Sequence, residues 1–348
     1  MSAPAMTSPS TTPSPEAPDP SSAAQRDARL LSILRWIQQL LMPVLLVVEV
    51  ILFTVLSPHF MTAQNWTNIA INSADLALIA AGLTLIVIMA GIDVSTGFAV
   101  GLIGWFVATG MADQRSPILV LLTALLAGAV LGLFNGLLTV RLAIPSIVAT
   151  LGTSAIFQTL LFALWNSTDV FARPVFPWLS GQSRIAGFPT VALLVIVVYL
   201  ILHVVLSRTV YGRSVYAIGS NAEAAALTGI KIGRVRLTAY LILGLLIGLA
   251  ACLYSARIGV VQASSGGELT MLVISSVVVG GTSILGGEGS VLRTLGGLVF
   301  IAVLRNGVVL AGVPSLWNGV MIGVVILLAV GINGLVVRVS RRQRRSLT

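Results

Sequence analysis

Ser207-Arg208-Thr209-Val210-Tyr211-Gly212-Arg213-Ser214-Val215-Tyr216-Ala217-Ile218-Gly219-Ser220-Asn221-Ala222-Glu223-Ala224-Ala225-Ala226-Leu227-Thr228-Gly229-Ile230-Lys231 opens the one long polar interruption of a greasy chain. The interruption runs to Arg236 and holds five cations, Arg208, Arg213, Lys231, Arg234 and Arg236. Within it, Asn221 is a good N-cap, Glu223 favours a first helical turn and Gly229 is a good C-terminal stop. The spacing predicts a helix of one to two turns on a charged loop, with little in its own chain to bury against. Such a knob reads as a docking element for a soluble partner.

The runs on either side of this loop fix the class. The chain has 348 residues, 57% hydrophobic and 9% charged, with mean hydropathy +1.02. A soluble domain carries about 25% charged residues for its surface, so a chain this apolar uses lipid as its solvent. Net charge +9 and pI near 11 do not point to nucleic acid. The cations cluster at membrane edges, notably Arg338, Arg341, Arg342, Arg344 and Arg345, as expected for retention beside anionic lipid on the cytoplasmic face. Cys252 is the single cysteine, so no disulfide or multi-cysteine metal site forms within one chain. His59 and His203 are isolated at predicted membrane edges, and no metal site is expected.

About ten spans are expected, near 38–57, 68–90, 97–112, 117–140, 147–166, 190–207, 237–257, 269–285, 291–312 and 316–337. The all-α, polytopic membrane domain thus covers 31–337. The spans near 97–112 and 269–285 are short enough to be re-entrant or broken. Residues 1–30 form a Pro/Ser/Thr/Ala-rich tail without apolar periodicity, read as disordered and cytoplasmic; 338–348 form a basic cytoplasmic tail. With both termini inside, the 208–236 loop, Arg141 and Arg293 fall in the cytoplasm, and His59, the 167–189 loop and Arg257 fall outside. Spans one to four and seven to ten have similar spacing, which points to a parallel internal repeat of four-helix sets.

No nucleotide-hydrolysing motif is present, since the only lysine, Lys231, stands outside any Gly-Lys-Ser/Thr. Two glycine-bearing turns are the strongest internal features. In the first, Gly91-Ile92-Asp93-Val94-Ser95-Thr96-Gly97, Asp93 and Ser95 can either cap the following helix or line a pathway. The second, Gly280-Gly281-Thr282-Ser283 to Gly286-Gly287-Glu288-Gly289, has enough glycine to leave helical geometry. Irregular backbone at membrane depth is tolerated against protein or a water-filled cavity, which favours a pathway role. Candidate pathway or gating residues are therefore Asp93, Ser95, Gly97, Asn135, Gly281, Thr282, Ser283 and Gly286. Glu49, Asp75, Gln158, Arg305, Asn306 and Asn318 are further polar residues within spans, where function is the default suspicion. Asn135-Gly136 and Asn306-Gly307 equally suit close helix packing. Trp105, Trp165, Trp178 and Trp317 fall near span ends, as in an aromatic belt.

From about residue 65 to 335 the chain resembles the membrane permease subunits of bacterial ABC-type importers for ribose, xylose, galactose, rhamnose and autoinducer-2. The resemblance rests on five stretches in order: Ala90 to Gly97; Phe134-Asn135-Gly136-Leu137-Leu138; Ile144-Pro145-Ser146 to Thr153; Gly212-Arg213-Ser214 to Asn221; and Val279-Gly280-Gly281-Thr282-Ser283-Ile284-Leu285-Gly286-Gly287. It implies that Glu223 to Gly229 is the helix that couples the permease to its ATPase. The coupling set is then Arg213, Gly219, Asn221, Glu223, Ala224, Ala225 and Gly229. The implied partners are a second permease copy or a paralogue, two ATP-binding subunits, an extracytoplasmic sugar-binding protein and membrane lipid. ATP-Mg would be held by the partner, with no cofactor and no catalytic residue in this chain. The first turn departs from the family's usual Gly-Gly-Ile-Asp-Leu-Ser-Val-Gly-Ser at Ala90, Thr96 and Phe98. The alternative reading is an ion-gradient-coupled secondary transporter of a small polar solute, with Glu49, Asp75 and Asp93 as its carboxylates.

Overall fold

The computed structural model describes residues 42–166, 169–171, 178, 181, 183–317, 319–321, 323–324, 327–328 and 331. Both terminal tails, most of the tenth expected span and Asn318 lie outside these residues. The helices are α1 (Met42–Leu56), α2 (Ala63–Asn72), α3 (Ala74–Ile88), α4 (Thr96–Ala112), α5 (Pro117–Val140), α6 (Ser146–Trp165), α7 (Thr190–Arg208), α8 (Val210–Ser220), α9 (Ala222–Leu227), α10 (Ile232–Ile258), α11 (Leu269–Val279) and α12 (Val291–Leu310). Five of these are long and apolar enough to cross a membrane, and α2 with α3 makes a sixth span bent by 49° at Ser73. The chain is an all-α polytopic membrane protein.

At the centre stands α3. Its sequence is apolar on every side, and every residue from Ala74 to Ile88 is buried. A helix of that pattern needs protein all round it; here α10, α11, α12 and α7 supply it. The outer helices invert the pattern of a soluble protein. Along α5 the large residues Ile118, Leu122, Leu126 and Val130 face outward. The inner stripe of α5 is glycine, at Gly128, Gly132 and Gly136, and it lies along Gly244 and Gly248 of α10. A Cβ placed on Gly128 would stand 2.1 Å from the Gly244 carbonyl oxygen. Lipid is as apolar as leucine, so helices associate by close backbone packing, and small residues make that approach possible.

The polar residues inside the spans mostly pair with one another. Asn65 and Asn306 exchange amide bonds at 3.0 and 2.9 Å, fastening α2 to α12. Thr84 and Thr294 hydroxyls bond at 2.9 Å between α3 and α12, and Tyr199 of α7 donates to the Ala77 carbonyl at 3.0 Å.

The two short helices are both entered through irregular backbone. At 11 residues α11 is only about 16 Å long, roughly half the ~30 Å hydrocarbon core. The expected 269–285 span therefore ends at Val279, and 280–290 is non-helical. The segment 89–95 enters from the end of the bundle that carries α8 and α9. The segment 259–268 enters from the opposite end, where α6 meets α7. They meet at Gly97 and Gly266, each so close to the other's carbonyl that an added Cβ would clash, at 2.3 and 2.1 Å. From this crossing α4 and α11 run in opposite directions. So, alongside the expected parallel correspondence of the turns at 90–97 and 280–287, the segments 89–112 and 259–279 show a relation of opposite sense.

Candidate coupling and translocation site

The short helix forms where the loop sequence places it. The Asn221 side chain accepts from the Ala224 amide at 3.0 Å, Glu223 lies in the first turn, and Gly229 takes φ +84° to end the turn. Asn221, Glu223, Ala224 and Gly229 are exposed, and Leu227 stands out at 90% exposure. Ala225 is buried and seats the helix on the bundle. The preceding stretch, read as a polar loop, is instead a second helix, α8. Thr209 caps it by accepting from Gly212, and Val215 and Ile218 bury its inner side. Sequence reasoning passed over α8 because Arg213, Ser214 and Ser220 mask a half-apolar helical face.

Gly219 is not at the free surface. A Cβ on it would lie 1.8 Å from the Ile88 carbonyl and 2.5 Å from the Gly287 amide. Gly287 in turn donates to the Ile88 carbonyl at 2.8 Å. Gly286, at φ +85°, presses on Ala90 and on the Gly219 carbonyl, and Tyr216 donates to the Gly289 carbonyl at 2.9 Å. The α8–α9 hairpin therefore touches both polar turns directly, while Arg213 points to solvent.

Of the pathway candidates, the structure gathers Asp93, Ser95 and Asn135 into one buried cluster. Ser95 donates its amide and hydroxyl to Asp93 Oδ1 at 2.9 and 2.7 Å. Asn135 donates to Asp93 Oδ2 and to Ser95 Oγ at 3.2 and 2.8 Å. Asp93, 1% exposed, thus ties the turn to α5. Ser146 and Thr150 of α6 hold the same turn through the Ile92 and Val94 amides. Gly97 donates to Thr270 Oγ1 at 2.9 Å, at the crossing. Thr282 is buried beside Thr294, Ser283 donates its amide to the Glu288 backbone carbonyl, and Gly281 is exposed.

A cavity of about 500 Å³ opens beside the crossing. Its wall includes Phe98, Gln158, Tyr254, Gln262, Ser264 and Glu268. Gln158 was singled out only as a polar residue within a span, and Gln262, Ser264 and Glu268 were missed. The signal that marks them is the cluster Gln262-Ala263-Ser264-Ser265-Gly266-Gly267-Glu268, polar residues and glycines between two apolar helices. At the mouth, Val170–Phe171 pairs antiparallel with Val260–Val261, and Asp169 accepts from Trp165 Nε1 at 2.9 Å and from Gln262 Nε2 at 3.1 Å. Those two donors hold the Asp169 carboxyl below the usual aspartate range.

Of the three carboxylates of the ion-coupling alternative, Asp75 is paired with Arg257 at 2.6 Å and Asp93 is hydrogen-bonded. Glu49 is buried against Phe53, Phe300 and Leu304, with neither oxygen bonded to a described residue.

Residues 65–330 match the family described as the permease component of the branched-chain amino acid transport system. The chain belongs to this family. The permease is 35% identical to the ribose import permease protein of Bacillus subtilis, over 82% of its own length and 89% of that protein's. It is 31% identical to the ribose import permease protein of Escherichia coli K12, over 85% and 93% of the two chains. To the autoinducer 2 import system permease protein of an Enterobacter species it is 33% identical, over 84% and 85%. No solved structure matches the permease. The matched residues take in nearly all of the bent span, α8 and α9, both turns and the cavity, while Glu49 precedes them. The permease is thus a multi-pass membrane component of a transport system.

Proposed function

We propose that this permease forms half of the transmembrane pathway of an ATP-driven importer of a monosaccharide or a related sugar derivative. Two copies, or one copy and a paralogue, would line the pathway in the bacterial inner membrane, surrounded by lipid and with both termini in the cytoplasm. Two ATP-binding subunits, which hold ATP-Mg, would dock on α8–α9, and a sugar-binding protein would dock at the opposite face. The relatives named for ribose and autoinducer 2 support the substrate class.

The observation that carries the reading is the placement of α9. Its outer side, with Glu223 and Leu227, is free for a partner, while the adjoining α8 abuts both glycine turns through Gly219. Closure of the ATPases would push α9, and α8 would pass the displacement to residues 88–90 and 286–287. From there it reaches α4 and α11, whose N-terminal ends meet at mid-depth. The energy comes from the partner, and this chain supplies the lever.

The test is co-purification in mild detergent with the ATPase of the same operon, comparing wild type with Glu223→Lys. A complex that forms with wild type and is weakened by the substitution supports the reading. If the wild-type permease draws down no ATPase, ion coupling takes its place. Uptake should then collapse on dissipating the proton or sodium gradient, with Glu49, the one of the three carboxylates lacking a described partner, as first target.

A further inference from the structure

We infer that the cavity bounded by Phe98, Gln158, Tyr254, Gln262, Ser264 and Glu268 is a sugar-contact site within the permease, reached from the face opposite α8–α9; this rests on the sugar-import reading above.

Depth is the first ground. Because α11 is about half a bilayer long and its far end leads into the 280–289 turn, which packs against Gly219 and Tyr216 of α8, its first residues lie near mid-membrane. Glu268 immediately precedes it. The cavity floor, Ser265 to Gly267, rests on α4: a Cβ on Gly101 would stand 2.1 Å from the Ser265 carbonyl. From this floor the wall rises to Val260 and Gln262, beside the Asp169 clasp at the bundle end. The space thus lies between the crossing of α4 and α11 and the bundle end.

Unspent hydrogen-bonding capacity is the second ground. Gln158 lies two positions from the outward-facing Ile156 and Leu160, on another face of α6 that lines the cavity, and its amide bonds to no described residue. Ser264 likewise makes no side-chain bond to a described residue. Glu268 approaches only Arg305, at 4.0 Å, and its carboxylate is largely free. Polar groups left open in a membrane helix bundle are costly unless they face water or a ligand.

The lining matches one ligand chemistry. Phe98 and Tyr254 offer apolar ring faces, and Gln158, Gln262, Ser264 and Glu268 offer acceptors and donors around them. A monosaccharide presents that combination in reverse, an apolar patch of C–H groups rimmed by hydroxyls. The volume lies within the range of small-molecule sites. The edge of the Phe98 ring lies beside Gly267 in the wall. Phe98 also lies at a departure of the first turn from the usual family sequence, which makes it the residue expected to set which sugar passes.

The test uses the complete transporter, with its ATPase and binding protein, in membrane vesicles supplied with radiolabelled ribose, xylose, galactose and rhamnose. Wild type is expected to take up at least one. With that sugar, Glu268→Gln and Gln158→Ala are expected to lower uptake at least about tenfold at unchanged membrane abundance, as for loss of hydrogen bonds to a polar ligand. Phe98→Ala is expected to change the ratio of uptake between pentose and hexose. Ser264→Cys, labelled with a charged, impermeant thiol reagent, is expected to be shielded by the transported sugar and not by a rejected one; the native Cys252 is buried and contributes no background. If wild type takes up none of the four, the sugar reading falls and the site with it. If wild type takes up a sugar, yet both polar variants match it and labelling of Ser264→Cys is indifferent to that sugar, the site is wrong and the import reading stands.

Discussion

Asp75, at the start of α3, and Arg257, at the end of α10, bond at 2.6 Å across 182 residues of sequence. Asp75 is fully buried and Arg257 is 21% exposed, leaning on the Tyr254 ring. The pair is what lets a carboxylate stand on the most buried helix of the bundle. Removing the cation strands a buried charge, at a cost of roughly 3–5 kcal/mol. Arg257→Met is therefore expected to lower the thermal midpoint in detergent sharply, and Asp75→Asn less so. The double variant Asp75→Asn/Arg257→Met should recover most of the loss. Losses that simply add in the double variant would mean that the two residues do not stabilise each other.

Ala90 takes φ +60°, in the left-handed region that costs a residue with a Cβ roughly 1–2 kcal/mol. Its side chain is exposed and has only the Gly286 backbone beside it, so little packing would be lost on trimming it. Ala90→Gly should accordingly stabilise the permease by about 1 kcal/mol, read as a raised thermal midpoint with uptake retained. A lowered midpoint would mean that the Ala90 methyl against Gly286 matters more than the backbone strain.

The glycine stripe between α5 and α10 gives a paired comparison. Gly128 faces the Gly244 carbonyl, whereas Gly152 on α6 has nothing within 4 Å of the space its Cβ would occupy. Gly152→Ala should leave the monodisperse fraction in size-exclusion chromatography unchanged. Gly128→Ala should reduce it severely, because two backbones in contact cannot yield to a methyl group. Equal behaviour of the two would place the tight crossing elsewhere.

These contrasts show where the sequence was legible. Apolar runs announced the spans, because length and hydropathy alone decide whether a segment can cross lipid. They did not say which face of each helix is buried, since lipid and protein interior are equally apolar. Glycine spacing carried that information on α5, and only the partner α10 made it readable. Asn221, Glu223 and Gly229 showed α9 because capping is local chemistry. Gly219 belongs to the coupling set implied by the resemblance, but its contact with Ile88, remote in sequence, is visible only in the fold. Asp93 was recognisable as a capping or pathway residue, and Asn135 as a packing or pathway residue; that they share one buried cluster depends on how α5 lies beside the turn. Most of the cavity is not legible because its wall comes from α4, α6, α10 and the 259–268 segment together, and only the polar, glycine-rich run Gln262 to Glu268 gives a local sign of it.

As a lever, α9 depends on its cap and its seat. At six residues α9 is too short to hold helical form by propensity alone, so its cap and the Ala225 contact must fix it. Asn221→Ala removes the acceptor for the Ala224 amide, worth about 1 kcal/mol at a helix N-terminus. Asn221→Asp supplies the same acceptor. If α9 transmits force as an ordered element, Asn221→Ala should lower ATP-driven uptake severalfold while the thermal midpoint of the bundle stays put, and Asn221→Asp should restore most of it. Leu227→Asp, at the most exposed apolar position of the hairpin, should abolish ATPase association without unfolding the permease. Uptake in Asn221→Ala equal to that in Asn221→Asp would show that the cap is dispensable. The surface around Leu227, rather than the order of α9, would then account for coupling.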